Sequence, residues 1–307
     1  MQSSRRAFLL GRRPVRTAWD ELRARLSRVA RGALQDTGPR RAHLTARDAA
    51  DVRQARALCA EYGAVLALAG TPPALRAEHE ADPPLLVVDP SGLNVLAQAG
   101  PGWRAGPGCL AGDLAQAGLT QFAGAPPDQT LALWLARQGA WPIGQTAASG
   151  VRELDVLLAD GSAETLGPFG QDDLRPLRTA TAQRLIPALF HLAGQADAAT
   201  CLAAAQWPGR YRLDALRPRD PHGVNLAHLL LGHGGTLGWV EGAMLVPAVG
   251  MALSRAAASA SESAGMGASA EGGAVAGEEA SLRSSAARRL DIRIGQCFDP
   301  AGLYGGS

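Results

Sequence analysis

The chain has 307 residues, 47% of them hydrophobic, and a formal net charge of +2. That is enough for one large or two modest domains around a sizeable core. No apolar run approaches the ~18 residues of a membrane span, and the absence of lysine excludes a Schiff-base or lysine-base mechanism.

The near-neutral total hides an asymmetry: residues 1–41 carry +8 and the remainder −6. The N-terminus, Ser3-Ser-Arg-Arg-Ala-Phe-Leu-Leu10, resembles a twin-arginine export motif. Gly11-Arg-Arg-Pro-Val-Arg16 then stands where an export signal needs an apolar core, so a retained leader and a cytoplasmic protein are expected. Thr17-Ala-Trp-Asp20 is a capping-box-like helix start, and Trp19, Leu22, Leu26 and Val29 recur at helical spacing. One side of this helix is apolar and the other Arg-rich. Docking on the body or on a partner is the expected use, since no nucleic-acid motif accompanies the charge. Gly38-Pro-Arg-Arg41 reads as a linker closing this basic arm, residues 1–41.

The body opens with Thr45-Ala-Arg-Asp48, a second capping-box-like start, and a helix that Gly63 suits as C-terminal cap. Ala64–Leu68, Leu85–Asp89, Leu93–Gln98, Trp103–Cys109 and Leu154–Ala159 read as strands. Leu110–Ala117, Thr130–Gln138, Ala180–Leu192 and Val224–Leu231 read as helices, with Pro187 a kink or break in the third. Then Gly232-His-Gly-Gly-Thr-Leu-Gly238 leads into a strand-like Trp239–Val246. Four glycines in seven residues allow a sharp turn and close approach of backbone to a neighbour. Residues 249–285 are mostly Ala, Ser, Gly and Glu and read as a disordered linker. A tail, residues 286–307, regains structure signals at Leu290–Ile294 and ends Cys297-Phe-Asp-Pro-Ala-Gly-Leu-Tyr-Gly305.

Cys59, Cys109, Cys201 and Cys297 form no Cys-x-x-Cys pair, and buried reduced thiols are expected. His222 and His228 lack ligand-like spacing, so no metal site is expected. A lone His233 in a loop is expected to make hydrogen bonds rather than act in catalysis. His191 reads as a core-edge residue, and Asp172-Asp173 as a solvated helix or loop start.

The Gly232–Gly238 run resembles the Gly-Ser-Glu-Gly-Thr-Leu-Gly segment in the FAD-binding domain of the vanillyl-alcohol oxidase and p-cresol methylhydroxylase (PCMH) family. Val151-Arg-Glu-Leu-Asp-Val-Leu-Leu-Ala-Asp-Gly161 resembles that family's strand ending in Ala-Asp-Gly, and the two blocks keep the family's order. Arg104-Ala-Gly-Pro-Gly108 and Asp113–Leu119 also match. The tail is similar to the Phe-Asp-Pro-x-Gly end of glycolate and D-lactate oxidoreductases. With the short length, this looks most like the short flavoprotein subunits of bacterial glycolate oxidases. The resemblance implies an α+β, two-subdomain PCMH-type FAD-binding fold over residues 42–248, without a full substrate-binding cap. It implies an FAD-linked 2-hydroxy-acid oxidoreductase, with any iron–sulfur centre in a partner subunit. The cofactor-lining positions it implies are Gly70, Thr71, Gly106, Gly108, Thr130, Gly144, Gly232, Gly235, Thr236 and Gly238; no catalytic acid or base stands out. The sequence departs from the family at both phosphate-facing loops. One glycine, Gly70, precedes Thr71-Pro72-Pro73, and Thr130-Leu-Ala-Leu133 stands for Thr-Ile-Gly-Gly. These losses keep open an alternative: a non-catalytic accessory member of the fold with weak or no flavin binding.

Overall fold

The computed structural model describes residues 16–170, 176–248 and 270–306. Residues 1–11, read as a leader, the Asp172-Asp173 pair and residues 249–269 of the expected linker lie outside these described residues. The first half of the fold starts at helix α1 (Ala18–Val29), which has the expected capping box. Thr17 Oγ1 accepts the Asp20 N–H at 3.1 Å and the Asp20 carboxylate accepts the Thr17 N–H at 3.1 Å. Trp19, Leu22 and Leu26 are buried, while Val29 is 48% exposed. The Arg-rich face is largely ion-paired: Arg23 with Asp20 and Asp36, Arg25 with Glu61.

Strands β1 (Ala33–Gly38) and β2 (Arg41–Thr45) follow as an antiparallel hairpin. Gly38–Arg41 is therefore a tight turn, not the linker its Gly-Pro composition suggests, because Gly and Pro serve turns equally well. The cap of α2 (Ala49–Tyr62) is Asp48, with Thr45 ending β2, and Gly63 closes the helix at φ +65°. Strand β3 (Val65–Leu68), the single turn α3 (Pro72–Leu75) and β4 (Leu85–Asp89) complete this half. The sheet order is β1-β2-β4-β3, with β2, β4 and β3 parallel.

The second half is a five-stranded antiparallel sheet. Its order is β5 (Leu96–Ala99), β6 (Gly102–Ala105), β11 (Trp239–Leu245), β7 (Val151–Leu157) and β8 (Ala163–Leu166). Strand β9 (Pro168–Phe169) pairs with β10 (Val224–Asn225). Helices α4 (Ala111–Gln116), α5 (Leu131–Arg137), α6 (Ala180–Ala193) and α7 (Ala196–Leu202) belong to this half. Pro187 does not break α6. The expected Val224–Leu231 helix is instead β10 and a 3₁₀ turn, Leu226–Leu230. The Asn225 side chain accepts the Ala227 N–H there, a local alternative to an α-helical start.

Helix α8 (Ala270–Phe298) overturns part of the linker expectation, since residues 270–285 are helical. Alanine is a strong helix former, and Ala286, Ala287, Leu290, Ile294 and Phe298 anchor the helix in the second core. The halves are joined at several points, among them the Arg53–Glu241 ion pair and Leu157 and Trp239 packed in the first core. Helix α5 sends Ala132 and Ala136 into the first core and Leu131, Trp134 and Leu135 into the second. Beyond α8, the tail carbonyl of Leu303 accepts the Leu66 N–H of β3 at 2.8 Å, and Tyr304 OH donates to Leu157 O of β7 at 3.0 Å.

Candidate functional site

The α+β architecture brings part of the expected cofactor set together. Gly70 and Thr71, after β3, meet Gly232 and Gly234, before β11, at a surface recess of about 400 Å³. Pro72, Leu75 and Ala136 line the same recess, with two arginines, Arg137 and Arg210. Arg137 Nη2 donates to Gly70 O at 2.9 Å. The Arg210 guanidinium lies 5.5 Å from the Tyr211 ring centroid. Among the described residues neither guanidinium forms an ion pair within 4 Å, although the Asp291 carboxylate, which accepts the Arg210 N–H at 2.9 Å, lies near enough to feel the Arg210 charge.

The glycines here serve chain-to-chain packing. A Cβ on Gly232 would lie 2.5 Å from Gly139 Cα, and one on Gly235 would lie 3.0 Å from the Thr71 methyl. A Cβ on Gly70 would lie 3.0 Å from a Leu133 methyl. The turn's amides are also engaged: Gly232 N–H donates to Leu135 O and Gly234 N–H to Ala136 O, both at 2.8 Å. Thr71 Oγ1 donates to Leu68 O at 2.6 Å. Thr236 is buried, donates to His233 O at 2.7 Å and meets the Tyr211 hydroxyl at 2.8 Å. The tail closes over this point, and a Cβ on Gly306 would sit 3.2 Å from Thr236 Cβ.

The other expected positions lie elsewhere. Gly106 and Gly108 pack on the turn after β4, their N–H groups donating to Val95 O and Leu93 O. Thr130 caps α5, its hydroxyl facing the Leu133 N–H at 3.4 Å. Gly238 packs on Val156 of β7. Gly144, at φ +70°, lies against the Arg219 side chain.

Several residues escaped sequence reasoning. Arg137 and Arg210 carry no local signature, because the recess joins segments far apart in the chain. Arg212 and Asp214 form an ion pair in which both side chains are almost fully buried. The guanidinium also donates to the carbonyls of Gly139, Trp141 and Pro142, and Asp214 accepts the Gly144 N–H at 3.0 Å. His233 is 2% exposed, and neither ring nitrogen has a hydrogen-bond partner, contrary to expectation. Burial first, then the Arg210 charge, pulls its pKa down to about 3, so it is neutral at pH 7 and has a low affinity for a proton. His228 is buried and bonded to Thr146 Oγ1 and Val151 O, with burial lowering its pKa to about 4. His191 is exposed on α6 rather than at the core edge. Cys59, Cys109 and Cys201 are buried, as expected, and burial pushes the Cys59 thiol up to about 12.

No family model and no curated protein matches the chain. Among solved structures it is similar to 6-hydroxy-D-nicotine oxidase from Arthrobacter nicotinovorans, at 14% identity and TM-score 0.39, over 76% of this chain and 40% of that one. It is also similar to the carbohydrate oxidase of Microdochium nivale, at 13% identity and TM-score 0.41, over 73% and 42%. The wild-type BBE-like 1 protein of Physcomitrella patens aligns at 14% identity and TM-score 0.41, over 73% and 43%. The chain thus spans well under half the length of these proteins, and likeness at this level bears on neither cofactor nor chemistry.

Proposed function

We propose that the chain is a PCMH-type, FAD-linked oxidoreductase subunit, and that the recess at Gly70, Thr71, Gly232 and Gly234 receives the flavin's anionic diphosphate. One observation carries this reading. Two segments that the sequence marks independently as cofactor-lining converge on one recess, beside Arg137 and Arg210, neither of which forms an ion pair within 4 Å among the described residues. Arginine donates charge-assisted hydrogen bonds to phosphate oxygens, which suits this donor set to an anion. The second half of the fit is poor. The glycine cradle the resemblance implies is filled by Leu133 against Gly70, and the turn amides of Gly232 and Gly234 are used within the protein. When bound, the flavin supplies hydride and electron-transfer chemistry; this chain contributes seating and charge, and no reaction step is assigned to its side chains. A 2-hydroxy acid of the glycolate or D-lactate kind as substrate, an iron–sulfur partner subunit and a cytoplasmic setting belong to the same proposal. They are supported by the Phe298-Asp-Pro-Ala-Gly302 tail and by the charged stretch after the leader.

The Leu133–Gly70 contact favours a second reading, an accessory member of the fold that holds little or no flavin. The visible spectrum of the purified protein separates the two. Bands near ~370 and ~450 nm, approximate positions for oxidised flavin, support the first reading. A colourless protein that fails to quench FAD fluorescence on titration supports the second.

A further inference from the structure

A second concave site lies away from the recess and shares no lining residue with it: a groove of about 560 Å³. Its lining combines an apolar surface, including Ala147, Ala148, Val151, Val224 and Val246, with Arg152, Arg219 and His222. One carboxylate, Asp220, shares the lining. Both arginines are exposed, and among the described residues neither forms an ion pair.

The segments that carry these arginines are held by buried groups. Asn225 Nδ2 donates to the carbonyls of Val151 and Arg152, at 3.2 and 3.0 Å. His228, buried at the groove, meets Val151 O at 2.9 Å. On the other side Arg219 N–H donates to Gly144 O at 3.0 Å, and His222 N–H to Arg219 O at 3.1 Å. Gly144 is itself fixed by Asp214, the partner of buried Arg212. Ordered backbone beneath cationic side chains lowers the entropic cost of engaging a ligand. The positive field reaches the floor, since the charges of Arg152 and Arg212 add to burial in lowering the His228 pKa.

We propose that this groove binds a small organic carboxylate, its carboxylate on Arg152 and Arg219 and its carbon body on the Ala147–Ala148 and Val224–Val246 surface. Guanidinium groups match carboxylate oxygens in charge and geometry, and the apolar wall gives a carbon chain a place to leave water. The site does not depend on the flavin reading.

Calorimetric titration of the full chain with hexanoate, and separately with inorganic phosphate, tests the assignment. Hexanoate binds saturably and more tightly than phosphate. Arg152→Ala and Arg219→Ala each weaken it by about tenfold or more, the loss expected of a charge-assisted hydrogen bond. Asp220→Asn tightens it by about twofold to fivefold, the size of a relieved exposed charge contact. Arg184→Ala, at a different recess, leaves it unchanged. Absence of saturation by about 10 mM, near the weak end of measurable affinity, overturns the proposal. Indifference to both groove arginines also overturns it, and phosphate binding as tightly as hexanoate removes the organic class.

Discussion

Removing the Asp214 carboxylate should be among the most damaging single changes available to this protein. Arg212 and Asp214 are 1% and 0% exposed at their side chains. Their two bonds, Nε to Oδ1 at 2.8 Å and Nη2 to Oδ2 at 2.6 Å, form a bidentate pair. In Asp214→Ala the guanidinium keeps its carbonyl partners but loses its counter-charge in a site closed to water. Breaking one side of a buried pair costs roughly 3–5 kcal/mol. At about 2–4 °C per kcal/mol for a domain of this size, the melting temperature should fall by on the order of 10 °C. Arg212→Met should cost a similar amount, because it strands the carboxylate and the carbonyls of Trp141 and Pro142. The double variant Arg212→Met with Asp214→Ala should cost clearly less than the sum of the two single losses, since no unpaired charge remains and only the carbonyls of Gly139, Trp141 and Pro142 and the Gly144 N–H lose a partner. Thermal and urea melts followed by circular dichroism complete the double-mutant cycle. A loss below about 1 kcal/mol for Asp214→Ala, the range of exposed pairs, would show that water reaches this site and would refute the reasoning.

Two further outcomes follow from the seam and the buried histidines. Ala132→Gly with Leu133→Gly should raise FAD affinity in fluorescence quenching by opening the space against Gly70, while lowering stability by roughly 1 kcal/mol per introduced helix glycine and further by the seam contacts of Ala132 and Leu133 that are lost; unchanged affinity would mean that Leu133 does not limit flavin binding. His228 and His233, with folded pKa values of about 4 and about 3 against an ordinary 6.5, stay neutral in the fold while the unfolded chain takes up protons. Their contribution is complete above pH 6.5 and is lost as pH falls towards 4 and then 3, at up to about 1.4 kcal/mol per pH unit for each. His233→Leu should therefore flatten the stability profile between pH 6.5 and 4, and an unaltered slope would place the ring in contact with solvent.

Local chemistry made much of the fold legible. The Thr17–Asp20 box, the Gly63 cap and the apolar runs of β3, β4 and β7 declare themselves within a few residues. The failures come where composition fits two structures. Gly38-Pro39 serves a hairpin turn as well as a linker. The Ala-rich stretch before Leu290 is a poor core former by itself, yet it is a good helix once Ala286, Ala287 and Leu290 find the second core. The candidate site was half legible. Gly70 and Gly232 carry a backbone signature, but Arg137, Arg210 and Arg219 acquire meaning only when distant segments meet.

Glycine has two uses that a sequence does not distinguish: it bares a backbone to a ligand, and it lets two segments of chain touch. In the Gly232–Gly238 turn the second use is evident. A Cβ at residue 232 would strike the Gly139 backbone, and residues 234 and 235 hold φ values of +65° and +78° that disfavour any side chain, whether or not a cofactor is present. Loss of flavin binding would therefore leave the packing constraint on these glycines in place, and the motif that most resembles a cofactor signature discriminates poorly between a flavoprotein and its scaffold. The informative positions are those where packing does not demand glycine. Helix α5 accepts Ala132 in the first core and seats Leu133 on Gly70, so side chains there stabilise the seam at the expense of space a diphosphate would use. Whether this chain carries FAD is thus a question about Leu133 and the two arginines beside it more than about the glycine-rich turn.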